Sequence, residues 1–191
     1  MNNTLIWKEE ERRIIYSSPV FDVGERICRS PDNTLKTFAV LDTKDWAIVI
    51  PVLKTEQGTE FVMVRQWRPG TGDLSLEFPG GVFEKDEEST SAAGRELREE
   101  TGYTAGKLTL LGVFNPNPAI MSNMVHFFLA EDLTNTGVQE LDDDEYVNAE
   151  KVPFINVLNG MGKPPYIHAL MGTAMALFFQ HKKAGAFQTP A

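Results

Sequence analysis

The sequence predicts an α+β fold in which mixed sheets pack against two helices. Three observations carry this expectation. Short runs of β-branched and aromatic residues, bounded by turn residues, recur along most of the chain. Only two stretches, residues 88–101 and 166–183, keep a helical period. Strands and helices do not alternate in a regular βαβ order, which argues against a doubly wound parallel sheet.

Residues 1–45 read as an N-terminal arm of strands and turns. Arg13-Ile14-Ile15-Tyr16 is a short β-rich run, and residues 20–23 and 35–40 alternate. Pro31-Asp32-Asn33 is a turn between them. Three strands with no helix to cover them are marginal alone, so the arm must pack on the rest of the chain or on another subunit. Residues 46–185 read as a second domain, with 186–191 as a frayed tail. Its first strand, 47–53, has a buried pattern in which Pro51 marks an edge or a bulge. Gln57-Gly58 turns the chain into a hairpin partner at 61–66. Residues 74–78 form a short strand, stopped by Pro79-Gly80-Gly81.

The first helix has Ser89 or Thr90 near its N-cap and Gly102 just past its end. Ala93 and Leu97 give it an apolar stripe. Gly94 inside it costs about 1 kcal/mol relative to Ala, which points to close approach of another backbone. Strands follow at 108–114, 125–130 and 146–152, with an acidic loop, 139–145, before the last. Ile167, Leu170, Met171, Ala174 and Phe178 place the second helix near the C-terminus.

Composition narrows the classes of function. The 191 residues carry a net charge of −9, so an extended basic surface for nucleic acid is not expected. The longest apolar run, 46–53, is too short to span a bilayer, and the acidic N-terminus lacks the apolar core of a secretory signal. One cysteine, Cys28, leaves no intramolecular disulfide and suits a cytoplasmic setting.

Glu96, Glu99 and Glu100 are the candidate chemistry. On a helix Glu96 and Glu100 share a face one turn apart, with Glu99 beside Glu96. Like charges at that spacing repel by roughly 0.2–0.5 kcal/mol per pair, so something must offset them. A hard divalent cation does so, because Mg²⁺ takes oxygen ligands from one or two carboxylates plus substrate phosphates. A solvated, salt-bridged helix face is the alternative for a bare acidic cluster, and Arg95 and Glu99 have the i,i+4 spacing for it.

The wider spacing decides between them. The stretch reads Gly81, five residues, Glu87, seven residues, Arg95-Glu96-Leu97, one residue, Glu99-Glu100, one residue, Gly102-Tyr103. This resembles the signature of the Nudix hydrolases at every specified position. The resemblance implies an α/β/α sandwich and metal ligation by the Gly80 carbonyl, Glu96 and Glu100, with Glu99 joining when further ions bind. It implies Mg²⁺ as the cofactor, with Mn²⁺ as a substitute. It implies an orienting or water-mediated part for Glu87. Arg95 is a further catalytic-site candidate, either structural through Glu99 or direct.

The neighbouring segments Arg65-Gln66-Trp67-Arg68 and Leu76-Glu77-Phe78-Pro79-Gly80-Gly81, with Pro118 downstream, are similar to the ADP-ribose pyrophosphatase and nucleoside-diphosphate-sugar hydrolase branch. That likeness implies substrate contacts at Arg68, Glu77 and Pro118, and a homodimer built by the arm. Trp46, Phe21 and Trp67 are available to stack a base. The branch often takes its general base from a late loop, so Glu145 is the first candidate, Glu140 the second and Glu99 the alternative. His126, His168 and His181 show no metal spacing and read as structural or exposed.

The implied function is Mg²⁺-dependent hydrolysis of a nucleoside-diphosphate sugar, ADP-ribose first and GDP-mannose second. The alternatives are hydrolysis at RNA 5′ ends or of dinucleoside polyphosphates, and a non-catalytic Nudix-fold ligand sensor.

Overall fold

The structure is a computed structural model that describes residues 4–141 and 145–184. The tail expected at 186–191 and Asp142, Asp143 and Asp144 of the acidic loop lie outside them. The chain divides into two compact units, one of residues 1–45 with 115–124 and one of 46–114 with 125–191. The sequence reading places 115–124 in the larger domain. Their backbone bonds put them with the arm instead.

The first unit is an antiparallel meander of β1 (Lys8–Ser17), β2 (Asp22–Arg29) and β3 (Leu35–Asp42). Loop 115–124 is tied to its end. Leu41 N–H donates to the Ile120 carbonyl at 2.7 Å, Ser122 N–H donates back to Leu41 at 3.1 Å, and Met124 N–H reaches Asp45 at 2.8 Å. Ile14, Ile15, Tyr16, Leu35 and Phe38 stay exposed on this sheet.

The second unit is a seven-stranded mixed sheet between helices. Its path runs β10 (Asn148–Pro153), β5 (Gly58–Arg68), β4 (Trp46–Thr55), β9 (Val125–Asn135) and β8 (Tyr103–Phe114). Two short strands join from the side: β6 (Asp73–Glu77) on β5 and β7 (Gly80–Val82) on β4. The β4–β9 pair is parallel and the other pairs are antiparallel.

Strand β4 shows why this sheet needs cover on both faces. Ala47 and Val49 face one core with Val62, Phe128, Ala130, Ala92, Ala93 and Leu97, the last three from helix α1 (Ser89–Thr101). Ile48, Ile50 and Val52 face the other core with Phe61, Met63, Leu76 and Phe127, closed by helix α3 (Ala169–Ala184) through Met171, Ala174 and Phe178. A strand buried on both faces loses the apolar–polar alternation and reads as a continuous apolar run. The result is an α/β/α sandwich, as the resemblance implies.

Three local expectations change. Pro51 is neither at an edge nor in a bulge. It falls where β4 passes from pairing with β7 to pairing with β5, so its missing N–H interrupts no ladder there. Neither Ser89 nor Thr90 caps α1. Glu88 is the extended N-cap residue and makes no side-chain cap bond. A Cβ at Gly94 would meet only the Leu108 side chain at ordinary distance, so no backbone approaches it. The short elements β7 and α2 (Phe154–Gly160) carry too few residues for a periodic signal. Gly102 ends α1 as expected, left-handed at φ 69° with its N–H bonded to Arg98 at 2.8 Å. Among the described residues, no helix is long and apolar enough to cross a membrane.

Candidate active site

The acidic face of α1 is buried because it continues the apolar stripe of the helix. Ala93, Glu96, Leu97 and Glu100 follow one another at i, i+3, i+4 and i+7. Ala93 and Leu97 are fully buried against the sheet, and they carry Glu96 and Glu100 in with them, to 7% and 3% exposed. The turn into β7 closes over the two carboxyls. Gly80 N–H donates to Glu100 Oε2 at 2.8 Å. A Cβ at Gly81 would overlap the Glu96 carboxylate, and one at Gly80 would overlap the Ala47 carbonyl. Glycine is required at Gly80 by backbone contact, whereas at Gly81 the Glu96 carboxylate would have to shift, and the two glycines bring main chain against the carboxylates.

Burial pushes Glu96 up to about 7, opposed by Arg95 and reinforced by the charges of Glu99 and Glu145. Burial likewise pushes Glu100 up to about 8. The Gly80 N–H opposes this, while the charges of Glu96 and Glu145 add to it. Two buried carboxyls that resist ionisation, set against glycine main chain, form a hard-oxygen donor set suited to a divalent cation. Among the described residues no three His, Cys, Asp or Glu side chains already converge on one point. Glu99 instead accepts from Arg95 Nη1 at 3.0 Å and from Arg98 Nη2 at 3.4 Å.

Arg95 is the hub of this face. Its Nε and Nη2 hold both oxygens of Glu87 at 3.0 Å, its Nη1 holds Glu96 at 2.9 Å as well as Glu99, and Nη2 also reaches the Val82 carbonyl at 3.1 Å. All five guanidinium donors are thereby used inside the chain. The bond to Glu99 is the one that the structural alternative for Arg95 expects. Glu87 orients Arg95, and that guanidinium in turn holds the Glu87 carboxyl below its usual range.

Arg68 stands on the same sheet face. Val62 points toward α1, and alternation carries Val64, Gln66 and Arg68 to that side. Glu77 pairs with Val64 and joins them. Arg68 grips Glu77 through Nε at 3.1 Å and Nη2 at 2.7 Å, and His168 Nδ1 lies 2.9 Å from Glu77 Oε2. Burial would raise the Glu77 carboxyl, but the hydrogen bonds from His168 and Arg68 outweigh it and hold it at about 2. Glu77 is 2% exposed and both its oxygens are engaged. Glu77, expected to contact substrate, is held here between Arg68 and His168.

The other expected residues are spread more widely. Glu145 is exposed just before β10, and its charge reaches both Glu96 and Glu100. The base of its loop is hooked to the end of α1. Gln139 Nε2 donates to the Glu100 carbonyl and Glu140 N–H to Glu99 at 3.0 Å, while the Glu140 carboxylate lies 3.3 Å from Arg98. Trp46 is half-buried on the α3-side core with Ile48 and Ile50, on the sheet face opposite α1. Trp67 points to that same opposite side, paired with Leu74 and exposed. Pro118 is exposed in the 115–124 loop of the other unit, and Phe21 also belongs to that unit.

Sequence reasoning misses His168 and Gln139, whose partners are distant in the chain. The local signal at His168 is one polar residue between Ile167 and Ala169 at the start of an apolar helix.

Comparison with known proteins agrees with this geometry. The NUDIX domain family model matches residues 43–170. An ADP-ribose pyrophosphatase of Bacillus subtilis (strain 168) is 35% identical over 145 residues, 75% of this chain and 77% of that protein. An ADP compounds hydrolase of Escherichia coli (strain K12) is 25% identical over 134 residues, 70% of this chain and 69% of the other. A crystal structure of an ADP compounds hydrolase superposes with a TM-score of 0.82 at 21% identity, covering 97% of this chain and 98% of that one, and shows the shared fold. The chain belongs to the Nudix family of hydrolases, enzymes that generally use divalent metals.

Proposed function

From that family membership as premise, we propose that the protein hydrolyses the diphosphate bond of nucleoside-diphosphate sugars. ADP-ribose is the first choice and GDP-mannose the second. The products are a nucleoside monophosphate and a sugar phosphate, and Mg²⁺ is the cofactor, with Mn²⁺ as a substitute. The observation that carries this reading is the pair of buried carboxyls, Glu96 and Glu100, raised to about 7 and 8 beneath Gly80 and Gly81. The likeness to an ADP-ribose pyrophosphatase supports the choice of substrate.

Glu96, Glu100 and the Gly80 main chain would hold the cation, with Glu99 recruited for a further ion. When bound, such cations neutralise charge on the diphosphate oxygens as water attacks in line. Arg95 fixes the carboxylates from behind. Arg68 meets a phosphate oxygen with the donors that Glu77 leaves free. Glu145 takes the proton of the attacking water, with Glu140 second and Glu99 as the alternative. The arm, residues 1–45, pairs two chains through its exposed apolar residues, and the enzyme works in the cytoplasm.

The test is a panel of kcat/KM values for ADP-ribose, GDP-mannose, dinucleoside polyphosphates and 5′-triphosphate RNA. Phosphatase coupling detects the monoester products. ADP-ribose is expected to lead. Preference for either of the last two by an order of magnitude overturns this reading. Binding of ADP-ribose without turnover of any compound would identify a sensor instead.

A further inference from the structure

His168 lies immediately before α3, and a main-chain bond fastens its segment to the edge strand β6, with a second contact just past the strand. Leu76 N–H donates to the Pro165 carbonyl at 3.0 Å, Phe78 N–H points at Met171 Sδ at 3.0 Å, and Met171 N–H donates to the His168 carbonyl at 3.0 Å. These hold the imidazole beside Glu77, with Nδ1 at 2.9 Å from Oε2. The same carboxylate receives Arg68 in a two-point grip. The three side chains form a row in which only the carboxylate is hidden. Arg68 and His168 keep 40% and 35% of their side-chain surface and line a cavity of about 380 Å³, together with Thr71, Ser75 and Ile167.

The geometry assigns the roles within this row. A two-point arginine–carboxylate pair makes the guanidinium share the plane of the carboxylate. Whatever sets the Glu77 plane therefore sets the direction of the Arg68 edge that Glu77 does not use. Arg68 alone cannot set it, because guanidinium and carboxylate can turn together about their side-chain bonds. His168 comes from a different element, fixed by backbone, and pins one oxygen. A binding group held in a single orientation brings more of its energy to the reacting geometry than a mobile one.

We propose that His168 is a positioning residue that acts through Glu77 to aim Arg68 at the diphosphate of the substrate. This rests on the function proposed above.

The experiment is a double-mutant cycle between Arg68→Ala and His168→Ala in the full chain with Mg²⁺, with folding checked by thermal melts. Calorimetry gives Kd for α,β-methylene ADP-ribose, whose bridging carbon resists hydrolysis. Steady-state kinetics with ADP-ribose give kcat and KM separately. His168→Ala is expected to raise Kd and KM by about tenfold, within the coupling range of residues in one hydrogen-bond network, with a smaller change in kcat. In the Arg68→Ala background the same change adds nothing. His168→Asn, whose Nδ2 replaces Nδ1, recovers most of the affinity, whereas His168→Gln does not. The Asn and Gln variants carry the comparison if His168→Ala fails to fold.

An unchanged Kd in His168→Ala, or an equal loss with and without Arg68, overturns the proposal. If wild-type protein ignores both compounds but cleaves another diphosphate, the substrate reading falls by itself. The same cycle run on that diphosphate then decides His168.

Discussion

Glu100 and Glu77 are buried carboxyls on the α1 side of one sheet, 3% and 2% exposed. Burial pushes the first up to about 8, and the second is held at about 2. Burial itself is therefore not what separates them. Glu77 has two partners in bonding contact, the Arg68 guanidinium and the His168 ring. Glu100 has one backbone N–H from Gly80, and around it the carboxylates of Glu96 and Glu145. One site has its countercharge built in, and the other is left short of it. A buried group whose ionisation the chain itself opposes costs stability, and such costs gather where a ligand supplies the missing partner.

The largest expected effect breaks the comparison on the side of α1. Glu100→Gln removes a negative charge that the fold opposes. It should lower kcat by roughly 10²–10³, the loss seen when one preorganised group at developing charge is removed. Its melting temperature should hold or rise. Glu99→Gln should lower kcat as well. A well-folded Glu100→Gln enzyme with wild-type turnover would contradict the metal-site assignment.

A second prediction sharpens the comparison by pH in protein stripped of divalent ions. Glu77 falls from its ordinary value of 4.5 to about 2 on folding, so its contribution is present above pH 4.5 and is lost as pH falls toward 2. Glu96 and Glu100 rise from 4.5 to about 7 and about 8, so the fold binds more protons than the unfolded chain between these values. Stability should then decline as pH rises from 4.5 through 8. Urea unfolding across this range should show both limbs. Glu77→Gln should shrink the acid limb, to which Glu87, Asp42 and Glu131 also contribute, and cost about 1.5–3 kcal/mol, as for a lost hydrogen bond to a charged group. Glu100→Gln should flatten the alkaline limb, and so should added Mg²⁺. An alkaline slope that Glu100→Gln leaves intact would refute the attribution.

The smallest expected effect concerns the other face of the sheet. Trp67 precedes Arg68 in sequence but points away from α1. Trp67→Ala should change stability by no more than about 0.5 kcal/mol, as exposed sites do, and leave KM for ADP-ribose near wild type. A clear rise in KM would show that a base stacks there after all.

These contrasts also show what can be read from sequence. The α1 site is legible because its parts are local: three glutamates at helical spacing, Gly102 in the left-handed cap and the two glycines that open β7. The two-faced core is legible in the unbroken apolar run of β4. The Glu77 site is not legible, because no spacing rule joins residue 77 to residue 168. Only the segment lying along β6 brings them together. Gly94 misleads because a helix glycine is a cost without an address, and here only the Leu108 side chain lies near it. Trp46 and Trp67 are legible as aromatics, but which face they take depends on strand register.

The parallel pairing of β4 with β9 also bears on how the protein comes to exist. Trp46 pairs with Val125 and Pro51 with Ala130, so the middle of the sheet joins segments made at widely separated times. Parallel pairing across a long intervening chain is slow, because loop closure must be met before any ladder forms. During synthesis α1 leaves the ribosome well before Phe128 and Ala130, which complete the wall it packs on. Until β9 arrives, Ala92, Ala93 and Leu97 have Ala47, Val49 and Val62 of the earlier strands to pack on. A chain stalled or truncated before Val125 would keep the whole acidic motif and still lack Phe128 and Ala130, which complete the core beneath α1.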